Sequence, residues 1–224
     1  MIIIKKIIIF SLLFILGILF SLSIIGVKLI ADKEDTGILI YLDPGHGGFD
    51  GGCSSNDSIY IEKDITLKIS LLLANYLRSS GYIVKLTRDK DMALAHTKKE
   101  DMYKRVNLIN SSNACLYLSI HANSYPSKNV RGAQIFYKSS QTSSKELARI
   151  LTDKIHLIDK DNKRSALAIK NKYLVDNIDI TGCLIEVGFL TNDIDLNNLI
   201  SENYLSDFVV SLYLGITEYL DYLK

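Results

Sequence analysis

The sequence predicts a single α/β domain: a mostly parallel or mixed twisted sheet, covered by helices on both faces and preceded by an N-terminal membrane anchor or signal. Three observations predict it. Short apolar runs alternate with runs of helical period from Ile38 to Leu220, the pattern of a largely parallel sheet buried on two sides. The stretch Ile7 to Val27 holds 21 residues without a charge, about the length that spans a bilayer. The polar residues that interrupt the apolar runs gather where predicted strands end.

Each element has its own signal. Ile38 to Leu42 is a short apolar run closed by Asp43-Pro44-Gly45, a strand and its turn. Ile61, Ile65, Ile69, Leu72, Leu73, Tyr76 and Leu77 recur at helical spacing, and Gly81 follows as the C-cap. Tyr82 to Thr87 is a second strand, and Lys99 to Ser112 a helix with Met102, Val106 and Ile109 on one side. Cys115 to Ile120 and Gln134 to Tyr137 are further strands. Leu147, Ile150, Leu151, Ile155 and Ile158 mark the next helix, and Cys183 to Ile185 a strand that runs into Glu186. Leu205 to Leu220 is a long amphipathic helix with Ser201 as its N-cap.

Composition narrows the classes. With 48% apolar residues, 23% charged and two prolines, the chain is neither disordered nor collagen-like. A net charge of +1 excludes a nucleic-acid footprint, and beyond residue 36 the chain carries 22 basic and 22 acidic residues. Lys5 and Lys6 before the apolar stretch favour an inside N-terminus, which places residues 37–224 outside the cytoplasm. The expected organisation is an anchor or signal over 1–30, a polar linker over 31–37 and one domain over 38–224. Cys53, Cys115 and Cys183 show no paired spacing, so no structural disulfide is expected, and Cys115 and Cys183 read as small core residues.

His46 lies in a glycine-rich loop after the first strand, Glu62 in the first turn of the following helix, His121 at the end of the third strand and Glu186 at the end of the last. They are 16, 59 and 65 residues apart, yet an open α/β sheet gathers strand ends and helix starts at one edge. Two imidazoles and a carboxylate are a ligand set for catalytic zinc, leaving Glu186 spare for proton transfer in amide hydrolysis. Taken singly, each has a plainer role: a loop histidine, a helix-dipole carboxylate, a strand-end polar residue. His96 and His156 stand outside this group.

Five blocks, in order, weigh against the plainer roles: L-D-P-G-H-G-G-F-D-G-G from Leu42, I-E-K-D at Ile61–Asp64, L-T-R at Leu86–Arg88, S-I-H-A-N at Ser119–Asn123 and L-I-E-V-G-F-L-T-N at Leu184–Asn192. Over nearly the whole of residues 38–220 the chain resembles the zinc-dependent N-acetylmuramoyl-L-alanine amidases. The resemblance implies zinc held by His46, Glu62 and His121, with Glu186 as acid/base. The bond cut would be the amide between the lactyl group of N-acetylmuramic acid and the L-alanine of a peptidoglycan stem peptide. Arg105, in R-V-N-L-I-N, matches a family arginine expected to be structural. Cys53 stands where the family often has Ala, and Gly182-Cys183 where it often has Pro-Ala.

No wall-binding repeat accompanies the domain, and residues 160–182 leave little room for an inserted regulatory helix. This resembles the germination-specific, spore-cortex subtype, whose stem-peptide removal precedes muramic-δ-lactam formation by a muramic-acid deacetylase. A helper protein controlling zinc binding or activity is a further expectation. The alternatives are a vegetative wall amidase, a zinc peptidase acting within the stem peptide, a glycan-binding wall module and a membrane-tethered scaffold.

Overall fold

The computed structural model describes residues 36–223. The expected anchor over 1–30 and most of the linker lie outside them; among the described residues no helix is long and apolar enough to cross a membrane.

Six strands form one sheet: β1 Leu39–Pro44, β2 Ile83–Leu86, β3 Leu116–Asn123, β4 Gln134–Lys138, β5 Leu167–Ile169 and β6 Gly182–Phe189. Their order is β2-β1-β3-β6-β4-β5. β1 is parallel to β2 and β3, and β3 to β6, whereas β4 is antiparallel to β6. The sheet is therefore mixed, with β1, β3 and β6 ending at the same edge. β4 begins at that edge, since Gln134 pairs with Glu186.

The helices are α1 Glu62–Ser79, α2 Lys98–Asn110, α3 Thr142–Ile158, α4 Tyr173–Asn177, α5 Asp193–Ile200 and α6 Glu202–Tyr222. α1, α3 and α6 cover one face, where Ile69, Leu73, Leu147, Leu151, Phe208 and Leu212 are fully buried with Ile40, Leu118 and Ile185 of the sheet. Each such side chain contributes about 1.5–3 kcal/mol. On the opposite face Val106 and Ile109 of α2 and Leu174 of α4 pack against Tyr41 and Tyr117. Ser201 caps α6 as the sequence indicates, accepting from the Tyr204 amide.

Four expectations change in detail. β1 runs on through Pro44, so the turn starts later than Asp43. β3 continues to Asn123 and β6 to Phe189, so His121 and Glu186, expected at the strand ends, stand short of them. Cys115 precedes β3 and is exposed, not a core residue, while Cys183 is buried. Three elements had no expected counterpart, β5, α4 and α5. β5 has only three residues and α4 five, too few to show a period. α5 is capped by Asn192, whose side chain accepts from the amides of Ile194 and Asp195.

Candidate metal centre and active site

The loop after β1 carries His46, and the surrounding fold holds its backbone tightly. His46 adopts φ 62°, a left-handed conformation uncommon outside glycine. Arg105 of α2, buried, stabilises that turn: Nη1 donates to the Pro44 carbonyl at 2.7 Å and Nη2 to the His46 carbonyl at 2.6 Å. Arg88, just after β2, donates from Nε to Pro44 O at 3.1 Å and from Nη2 to Gly45 O at 2.8 Å. Two glycines are required by close approach. A Cβ on Gly45 would lie 2.4 Å from the His121 ring, and one on Gly52, at φ 74°, 2.4 Å from Glu62 Oε2.

Beneath the loop, Asp43 is fully buried and accepts from Arg105 Nη1 at 2.7 Å, Thr87 Oγ1 at 2.6 Å and Ser119 Oγ at 2.7 Å. Burial works against its charge, but Arg105, Thr87 and Ser119 outweigh burial and hold its carboxyl below the usual range. Removing the guanidinium would leave this carboxylate unpaired in the interior. Arg105→Leu is therefore expected to lower stability by about 3–5 kcal/mol at neutral pH, read as a shift in urea midpoint. A depressed carboxylate stabilises fully above its ordinary pKa of about 4 and loses that contribution as pH falls through the folded value. The gap between wild type and variant should thus narrow on acidification; a gap independent of pH would contradict the pairing.

His46, Glu62 and His121 converge. Glu62 Oε1 lies 3.1 Å from His46 Nε2 and 2.9 Å from His121 Nδ1, and the two rings meet edge-on with centroids 5.0 Å apart. One ligand atom from each of the three lies within 4.8 Å of the others, the spacing of a metal-binding group. Glu62, buried as the first residue of α1, is aimed by two backbone amides: Ala122 donates to Oε1 at 3.0 Å and Cys53 to Oε2 at 2.9 Å. Burial pushes its pKa up, yet His121 and His46 bring it far below the usual carboxylate range. His46 in turn meets Asp50 through Nδ1 at 2.9 Å, and Lys98 reaches the other oxygen of Asp50 at 2.7 Å. Burial favours the neutral ring, but Glu62 and Asp50 prevail and raise the His46 pKa.

Glu186 stands beside His121 as its register partner across β3 and β6. Its Oε2 is buried without a hydrogen-bond partner among the described residues. Burial raises its pKa, and the charge of His121 offsets this only in part. A cavity of about 230 Å³ opens over His46 and His121 and is bordered by Lys98 and Met102 of α2. The arrangement offers three convergent ligands and a spare carboxyl with raised proton affinity.

All four residues singled out from the sequence thus share one edge of the sheet. Arg105 is buried, with its guanidinium bonded to Asp43 and to the carbonyls of Pro44 and His46. His156 stands apart with Nε2 on the Arg164 carbonyl at 3.0 Å. Cys53 directs its thiol at the Ala122 carbonyl, 3.3 Å away, and burial together with Glu62 pushes its pKa up to about 12. Sequence reasoning passed over Asp43, Asp50 and Arg88. Asp43 and Asp50 carried a signal, as the acids flanking P-G-H-G-G-F, but nothing local assigns their partners.

Comparison with known proteins bears on the chemistry. A family model described as N-acetylmuramoyl-L-alanine amidase matches residues 40–218. The chain is similar to the germination-specific N-acetylmuramoyl-L-alanine amidase of Bacillus subtilis, at 38% identity over 192 residues, 82% of this chain and 80% of the relative. Among solved structures it resembles the CwlD amidase of Clostridioides difficile in complex with the GerS lipoprotein. That match has a TM-score of 0.80 and 35% identity, covering 83% of this chain and 99% of the other. An N-acetylmuramoyl-L-alanine amidase from Clostridium difficile 630 matches with a TM-score of 0.75 and 30% identity, over 82% of this chain and 97% of that one.

Proposed function

The chain belongs to the N-acetylmuramoyl-L-alanine amidase family, and from that premise we propose that it is a zinc enzyme of spore-cortex maturation, with His46, Glu62 and His121 holding the ion and Glu186 as general acid/base. Its reaction is hydrolysis of the amide between the lactyl group of N-acetylmuramic acid and the L-alanine of a peptidoglycan stem peptide.

The observation that supports this reading most is the three-ligand convergence beside a buried carboxyl that has no partner of its own. The donor set fits zinc: two imidazoles and one carboxylate, with room for water or substrate. When bound, zinc supplies Lewis-acid chemistry, polarising the scissile carbonyl and acidifying water. Glu186 accepts the proton of the attacking water and delivers it to the departing amine of L-alanine, and its raised proton affinity suits both transfers. Asp50 holds His46 through Nδ1, so that Nε2 faces Glu62 and the shared centre. Gly45 and Gly52 let the loop close over the two ligands it touches.

Asp50→Ala is accordingly expected to weaken zinc binding about 10–100-fold while leaving the fold intact. Competition with a chromogenic chelator reads this directly, and unchanged affinity would count against a metal role for the His46–Asp50 pair.

The spore-cortex assignment rests on similarity to the germination-specific relative. In that setting the domain acts outside the cytoplasm, tethered or exported through residues 1–30, and a muramic-acid deacetylase acts on the peptide-free sugar. The CwlD structure includes a lipoprotein, which supports a helper for this chain as well. The test is zinc-loaded full-length protein on cortex-type peptidoglycan, with products identified by mass. Peptide-free muramic acid is expected; shortened stems still attached to glycan would make the enzyme a peptidase. Spores lacking the protein should also lack muramic-δ-lactam.

A further inference from the structure

Beside the proposed centre lies a charged feature that amide hydrolysis does not use. The segment between α3 and α4 opens on Asp159, Lys160 and Asp161 and then carries Lys163, Arg164, Lys170 and Lys172, and among the described residues none of these last four is ion-paired with a carboxylate. Three of them are exposed lysines. Arg164 differs, because it is half-buried and its plane is fixed.

Its Nε donates to the Arg131 carbonyl at 2.7 Å and its Nη1 to Gln134 Oε1 at 2.7 Å. The guanidinium also lies over the Phe189 ring, 4.7 Å from the centroid. Every one of these contacts is with a neutral group, and among the described residues no carboxylate is ion-paired with the guanidinium. Nη2 has no hydrogen-bond partner among the described residues. Keeping a charged group partly out of water without a counter-ion is costly, and the unpartnered Nη2 of a fixed guanidinium is a ready donor to a carboxylate.

Its position points to which carboxylate. Across the sheet His121 pairs with Glu186, and Glu186 with Gln134, whose side chain accepts from Arg164. The row His121, Glu186, Gln134, Arg164 therefore runs from the metal ligands toward β5. Lys172, exposed at the start of α4, lies within electrostatic reach of Glu186, so the basic flank adjoins the group that protonates the leaving amine. That amine is the start of the stem peptide, the part of the substrate rich in carboxylates; the N-acetylated sugars are neutral.

Resting on the amidase reading above, we propose that Arg164 is a specificity-determining residue that receives a carboxylate of the stem peptide, which runs from the scissile bond over β4 toward β5. Lys172 is the outer cation of the same subsite. The fixed guanidinium supplies selectivity through Nη2, and the lysine adds a salt-sensitive attraction.

The test uses two muramoyl peptides, one with free stem carboxylates and one with them amidated, and full-length protein. Wild type should turn over the free acid with about tenfold higher kcat/KM than the amide. Arg164→Gln should erase the preference by slowing only the free acid, and Arg164→Lys should restore part of it. The corresponding free peptides, titrated calorimetrically into metal-free protein, should show the same order of affinity. Lys172→Gln, a change to an exposed side chain, should reduce the preference by a smaller factor and weaken its dependence on salt. Equal handling of both peptides by wild type, or an equal loss on both in Arg164→Gln, would overturn the assignment and give Arg164 a purely structural role. Absence of lactyl–alanine cleavage on either substrate would instead count against the amidase reading itself, while the calorimetric comparison still judges the subsite.

Discussion

Glu186→Gln should lower kcat by about 10³-fold or more, the upper part of the range for a positioned acid/base, while zinc affinity and thermal stability stay close to wild type. The amide of Gln fills the same space but neither takes a proton from water nor returns one to the leaving nitrogen. Stability has reason to hold, because Glu186 Oε2 makes no hydrogen bond among the described residues and its burial already works against the charged form. The informative comparison is kcat against KM: loss in kcat with substrate binding retained marks a group acting at the reacting atoms. A variant that keeps more than a tenth of the wild-type rate would remove Glu186 from the chemistry.

The second large effect concerns the ligands. His121→Ala should abolish stoichiometric zinc binding together with activity, and chelation of the wild type should produce the same loss, reversed by added zinc. The geometry explains why one side chain matters so much. Glu62 Oε1 is shared between His121 and His46 at 2.9 and 3.1 Å, so deleting one imidazole leaves only a bidentate remnant. Elemental analysis after gel filtration reads the stoichiometry. Full zinc occupancy in the variant would show that the ion sits elsewhere and that the three-residue centre is not its site.

Much of this edge was legible in the sequence. Periodicity located α1 and α6, and apolar runs located β1, β3 and β6, because each buries a continuous face. Glu186 stood out because an acid at the end of a buried strand is costly unless it has work to do, and His46, Glu62 and His121 because their blocks recur in order with a loop, a helix start and a strand end that one sheet edge gathers. The direction of β4 was not legible, since a five-residue strand, QIFYK, reads alike in both senses. The short elements β5 and α4 escaped for lack of length. The ties that hold the His46 loop escaped for a different reason. Arg105 reaches Asp43 across 62 residues and Arg88 reaches Gly45 across 43, and no local spacing encodes such partners.

Those distant ties bear on how the site could be moved between proteins. The segment from Asp43 to Cys53 looks like a cassette, yet the carbonyls of Pro44, Gly45 and His46 are met by arginines from α2 and from the chain after β2. Grafted alone onto a foreign scaffold, the cassette would arrive with those carbonyls unmet and its histidine free to swing. The smallest portable unit is the whole sheet edge together with α1 and α2, so chimaeras between relatives should be joined beyond α2, never inside the loop.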